Sequence, residues 1–109
     1  MRYLMTLNGG GPAADEQLYA DMAVFVDELT RAGVLLATGG LDPRGTHISA
    51  SGGQATLVDG PYAEAKETIV SFALIDVRSE EEALELARRF FAVIEVGEGD
   101  IRRVYGPEG

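Results

Sequence analysis

Apolar and polar residues alternate through residues 2–7, RYLMTL. Tyr3, Met5 and Leu7 fall on one side and Arg2, Leu4 and Thr6 on the other, which predicts a strand. After a loop marked by Gly9-Gly10-Gly11-Pro12, Asp15 has the character of a helix N-cap. From there Leu18, Met22, Phe25, Val26 and Leu29 recur at helical spacing, while Asp21, Asp27, Glu28 and Arg31 fall off that stripe. Gly33 reads as the stop, so the spacing predicts an amphipathic helix over 15–32. VLLAT, residues 34–38, is a short apolar run and predicts a strand buried on both faces. Gly39-Gly40 and residues 41–45 read as loop, and residues 46–51 and 54–58 flank Gly52-Gly53 as a β-hairpin.

Residues 68–77, TIVSFALIDV, predict a central strand. Val70, Phe72 and Leu74 form one apolar side, and Ile69, Ala73, Ile75 and Val77, with Ser71 among them, form the other. Ser79-Glu80-Glu81-Glu82 is a capping box and places carboxylates at the positive end of the following helix. That helix is expected to bury Ala83, Leu86, Ala87, Phe90, Phe91 and Ile94, with a surface pair between Glu85 and Arg89. Gly97 and Gly99 end this region, and residues 101–105 form a closing strand.

The order β-α-β-hairpin-β-α-β predicts an α+β fold. It is the ferredoxin-like split βαβ plan with an inserted β-hairpin and two helices on one sheet face, as a single domain over residues 1–109. Two helices cover only one face of such a sheet. The other should then be polar, yet the 68–77 strand is apolar on both sides. Four strands of five residues span roughly 300 Å² in plane. Covering that area yields about 7–8 kcal/mol before association costs. The expectation is a homodimer packed through its sheet faces; the alternative is a monomer in which the 39–46 loop folds over the sheet.

Composition narrows the functional classes. The 109 residues carry a formal charge of −9, which disfavours nucleic acid and anionic membranes as partners. There is no cysteine, hence no thiolate nucleophile and no disulfide scaffold, and one histidine does not make a His-rich metal cluster. MRYLMTL is too short for a signal h-region, and no stretch approaches the roughly 20 apolar residues of a membrane span. A soluble cytoplasmic protein is expected, with no membrane partner and no cofactor. Neither a GxGxxG, a P-loop nor a G-x-S-x-G elbow occurs.

The chemistry concentrates in VDGPYAEAKE, residues 58–67, which holds the chain's only lysine. Asp59-Gly60-Pro61 has turn character. Tyr62 serves either as an aromatic lid or as a phenol facing a ligand. Glu64, Lys66 and Glu67 form either a solvated ion-pair loop or the rim of a cleft between strand ends and the partner subunit, near the dimer interface. In the second reading Asp59 is a general base and Lys66 stabilises developing negative charge, a pairing suited to proton abstraction or elimination. His47 adds a group with a near-neutral pKa. Arg102 and Arg103 alternate on the last strand, so one faces in and one out.

On these residues the chain resembles the YCII-related family, in its DGPF-domain branch. Asp59-Gly60-Pro61 match the Asp-Gly-Pro of that signature and Tyr62 stands where phenylalanine is usual. Residues 63–67, AEAKE, follow in register. The likeness extends to the Ala32-Gly33-Val34-Leu35 join, the acidic start of the second helix and Ile101-Arg102. The resemblance implies a dimeric α+β barrel of largely uncharacterised function. It implies relatives that include a lyase-type dehydrochlorinase, and a His–Asp pair proposed as an active site in the wider family. His47 follows the second strand and does not match that histidine, which lies near the first helix; Asp59 is the match for the aspartate. The branch's association with sigma-factor genes implies a regulatory alternative. Two readings stand: a cofactor-free lyase- or isomerase-type enzyme acting on a small molecule, and a non-catalytic dimer that binds a ligand or a regulatory protein.

Overall fold

The computed structural model of the protein describes residues 1–9, 15–61 and 68–107. Its elements are β1 (Arg2–Asn8), α1 (Glu16–Arg31), β2 (Leu35–Gly40), β3 (Arg44–Ser51), β4 (Gln54–Pro61), β5 (Ile69–Asp76), α2 (Glu80–Ile94) and β6 (Gly99–Val104). Four strands form one antiparallel sheet in the order β2-β5-β1-β6, and β3 and β4 form a separate two-stranded sheet. Because β1 and β2 are each antiparallel to β5, they run parallel to one another with β5 between them. The same holds for β5 and β6 around β1. This is the split βαβ arrangement with an inserted hairpin that the order of elements predicts.

Both helices begin where the caps require. The Asp15 carboxylate accepts the Leu18 backbone N–H at 2.7 Å, and the Ser79 hydroxyl oxygen accepts that of Glu82 at 3.1 Å. Glu82 reaches back to the backbone N–H of Arg78, one residue before the cap. Phe25 and Leu29 of α1 meet Ala83 and Leu86 of α2 over Tyr3, Ile75 and Val77. The core therefore lies between the helices and the sheet face that carries the odd-numbered residues of β1 and β5. Leu4, Phe72 and Leu74 lie half-buried on the opposite face, where Thr6, opposite Phe72, is buried.

Several expectations are corrected. The 34–38 run is not buried on both faces: β2 is an edge strand, Leu36 is 46% exposed, and the strand continues through Gly39 and Gly40. Arg44 and Gly45 belong to β3, and Asp59, Gly60 and Pro61 belong to β4 rather than to a turn. Pro61 is tolerated because it is the last residue of an edge strand, where no ladder N–H is needed. Gly99 and Asp100 already belong to β6, so the closing strand starts two residues early and ends at Val104. Glu85 pairs with Arg88 at 3.2 Å, not with Arg89. Arg89 instead bridges the helices: its guanidinium pairs with Glu28 of α1 and lies 5.1 Å from the centre of the Phe25 ring. Ala87, Phe90 and Phe91 are half-buried rather than buried.

The hairpin turn is Gly52-Gly53, with φ of 59° and 82°, between the paired residues Ser51 and Gln54. Two successive positive φ angles define the primed turn whose twist matches paired strands, and glycine adopts them without a Cβ penalty.

Candidate functional site

The register of the hairpin decides which candidate residues meet. Thr46 stands opposite Asp59, and His47 opposite Val58. Opposed residues share a face and successive residues alternate, so Asp59 and His47 project from opposite faces of the hairpin. They form no acid–base pair within one chain, which removes His47 from the site assembled around Asp59. The Asp59 carboxylate accepts the Thr46 hydroxyl at 3.0 Å and is exposed. Its partner is thus a cross-strand hydroxyl, not the backbone N–H groups of a turn. Arg44, Gly45, Thr46, Asp59 and Gly60 line an open depression of about 670 Å³ at the hairpin's base. Arg44 is fixed there by its backbone N–H, which donates to Asp42 at 2.8 Å.

Tyr62, Glu64, Lys66 and Glu67 lie outside the described residues, as do Gly10, Gly11 and Pro12. Two described residues flank the 62–67 segment. One is Pro61, opposite Arg44 at the hairpin base, and the other is Thr68, whose carbonyl accepts the Gly9 N–H at 2.8 Å. Gly9 is on the rim of a second opening, a cleft of about 580 Å³ between the helices and one end of the sheet. Leu18, Met22 and Val26 of α1 and Phe90 and Ile94 of α2 form its apolar wall. The sheet side is Leu7, Thr38 and Ser71, with Gly39, Gly40 and Val70 at the strand ends and Tyr19 at the mouth. The Thr38 hydroxyl donates to the Phe72 carbonyl at 2.9 Å, which leaves its oxygen able to accept.

Cleft and depression are neighbours. Gly40 lines the first and Arg44 the second, and four residues of extended chain reach at most about 14 Å. The arrangement offers an apolar slot with hydroxyls on its floor and a carboxylate beyond one end. That suits a ring-sized molecule held by its apolar body. Among the described residues no group of three or more His, Cys, Asp or Glu side chains is placed to hold a metal ion.

The sequence pattern missed the cleft because Leu18, Met22 and Val26 read as core. The signal was on the facing strands. Ser71 interrupts an apolar face, and Thr38, Gly39 and Gly40 are small where a full core needs bulk, so the helix stripe has too little opposite it to close the gap.

Comparison with known proteins agrees with this architecture. The YCII-related domain profile matches residues 1–105. An uncharacterised protein of Rhizobium meliloti is 36% identical over 76 residues, which is 68% of this chain and 61% of that protein, so the chain spans about three fifths of that relative's length. Among solved structures, the 5-chloro-2-hydroxyhydroquinone dehydrochlorinase of Burkholderia phenoliruptrix, in complex with 2,5-dihydroxybenzoquinone, is similar in fold. Its TM-score is 0.52 at 13% identity, with 99% of this chain and 97% of that one covered. With the profile spanning nearly all of the sequence and the βαβ-hairpin-βαβ order in place, the chain belongs to the YCII-related family.

Proposed function

We propose that the protein binds a small molecule with an apolar, ring-sized body in the cleft between α1 and the sheet, and that polar residues of the 59–67 segment act on it. The observation that carries this reading is the Thr68–Gly9 hydrogen bond, which ties the end of that segment to the cleft rim. In this reading Asp59 takes a proton from the bound molecule and Lys66 stabilises the negative charge that develops, giving cofactor-free chemistry of the lyase or isomerase type. The solved structure of similar fold is that of a dehydrochlorinase; that likeness supports the fold only, and the proposal rests on the cleft. Self-association belongs to the same proposal. In it the sheet face bearing Leu4, Phe72 and Leu74 packs on the same face of a second copy.

One observation favours a binding role without catalysis. The Asp59 carboxylate is exposed on the hairpin, not inside the cleft. The two roles separate on Asp59→Asn. The enzyme reading expects turnover to fall by about 10²–10⁴-fold with binding retained; the binding reading expects no change in either.

A melting-temperature screen against small aromatic and keto compounds tests the site itself. A ligand at a hundred times its Kd stabilises by about 2.7 kcal/mol, a rise on the order of 10 °C for a chain of this size. Val26→Trp, which fills the cleft from α1, should abolish that rise. Compounds that stabilise the Val26→Trp protein as well as the wild type bind elsewhere and refute the proposal.

A further inference from the structure

We propose that Thr38 and Ser71 set the specificity of the cleft: between them they take one neutral hydroxyl group of the ligand, which donates to Thr38 and accepts from Ser71. The inference rests on the cleft reading above and adds to it the group that the ligand must carry.

The floor of the cleft deepens into a small recess of about 40 Å³. Leu7, Thr38, Ser71 and Phe90 line both cavities, and Met5 and Ala73 line the recess alone. The pairing of β2 with β5 accounts for the space. On the side of the sheet that faces the helices, Thr38 stands opposite Ala73 and Gly40 opposite Ser71, so neither pair brings bulk. Thr6 and Phe72 also line the recess, but alternation sends their side chains to the other side of the sheet. Among the described residues, Thr38 and Ser71 therefore supply its polar side chains. A single water needs roughly 10–15 Å³, so the recess takes one small substituent and not a second ring.

The hydrogen bonds around the two hydroxyls decide what that substituent is. Thr38 commits its one proton to the Phe72 carbonyl, 2.9 Å away, so toward the recess its oxygen can only accept. The Ser71 hydroxyl makes no hydrogen bond to a described residue and is able to donate. The two residues are diagonal neighbours across β2 and β5, with Cβ atoms somewhat under ~7–8 Å apart, and one oxygen bonded to both at about 2.8 Å spans that gap. A hydroxyl oxygen does both tasks. A keto oxygen has no proton for Thr38 and meets it lone pair to lone pair, and an amino nitrogen on an aromatic ring is a poor acceptor for Ser71. Among the described residues no charged side chain lines either cavity, so an ammonium or carboxylate would lie there without a counter-charge once the ring displaces water. Charged substituents belong at the mouth.

Amide NMR titrations of the full chain with phenol and with toluene, its methyl counterpart, test this. An apolar recess prefers toluene, because phenol gives up hydration on entering. The Thr38–Ser71 pair reverses that order. Shifts of the Met22, Val26 and Ser71 amides should give phenol a Kd at least about tenfold below that of toluene, and cyclohexanol should bind more tightly than cyclohexanone. Thr38→Val should weaken phenol by about tenfold while toluene binding is retained, and Thr38→Ser should keep the wild-type preference. Ser71→Ala is the second variant, on the other strand, and should also narrow the gap between the two ligands. Toluene that binds at these amides as tightly as phenol, or a phenol-to-toluene ratio that Thr38→Val and Ser71→Ala leave unchanged, refutes the hydroxyl site and leaves the cleft reading standing. Titrations in which none of the four ligands moves these amides refute the cleft reading itself, and the hydroxyl site with it.

Discussion

Gly99→Ala is expected to lower the melting temperature by about 15 °C, the equivalent of roughly 3 kcal/mol for a chain of this length. Gly99 opens β6 and stands opposite Leu7 of β1. An ideal Cβ there would lie 1.8 Å from the Thr6 carbonyl oxygen, 2.9 Å from the Thr6 carbonyl carbon and 3.1 Å from the tip of the Phe91 ring. Two of these three atoms are backbone, so no rotamer change relieves the clash. Either β6 moves away from β1 or the end of β1 moves, and both disturb the neighbouring bond in which the Asn8 N–H donates to the Glu98 carbonyl at 2.8 Å. Overpacking at a core position costs about 1–3 kcal/mol, and the upper end applies where the backbone itself must shift. Gly106→Ala is the control, since nothing lies within 4 Å of a Cβ built there. Thermal unfolding by circular dichroism reads both, and a Gly99→Ala protein that melts with the Gly106→Ala control would contradict the close approach.

Ile75→Ala should destabilise the fold by about 2–5 kcal/mol, against a total of about 5–15 kcal/mol for a domain of this kind. Ile75 is fully buried on the central strand, paired with Tyr3 on one side and Leu35 on the other. It belongs to the cluster of Phe25, Leu29, Ala83 and Leu86, to which both helices contribute. Truncation leaves a cavity that these elements cannot close without separating from the sheet. Leu74, one residue earlier, points to the face without helices and is half-buried. Leu74→Ala should therefore cost less in the isolated chain. Urea unfolding of the two variants, at concentrations where the chain is monomeric, gives the comparison; equal losses would mean that the two faces of β5 are covered alike.

The alternation in residues 2–7 and 68–77 and the helical stripes are enough to set element order and to place β5 centrally, because burial on a sheet repeats every two residues and on a helix every 3.6. What escaped was set by neighbours distant in sequence. Residues 34–37 are apolar throughout, and only the pairing of β2 with β5 alone makes this an edge strand. Asp59-Gly60-Pro61 has turn composition, yet pairing with residues 44–46 keeps it extended. Arg89 has a local partner at helical spacing in Glu85 but finds Glu28 on the other helix. Of the candidate site, the proximity of Asp59 to Thr46 and the separation of Asp59 from His47 needed the hairpin register, which the Gly52-Gly53 turn fixes but an apolar pattern alone does not. The cleft needed the tertiary gap between Val26 and Ser71, of which the sequence shows only the small or polar residues Thr38, Gly39, Gly40 and Ser71 on the facing strands.

A crystallographic fragment screen with single-ring phenols, quinones and keto acids tests the binding site most directly. Rings should lie between Met22 and Val26 on one side and Ser71 on the other, with their polar substituents toward Gly9 and the start of β5. Fragments that occupy other surfaces at millimolar concentration while this cleft stays empty would contradict its assignment as the site.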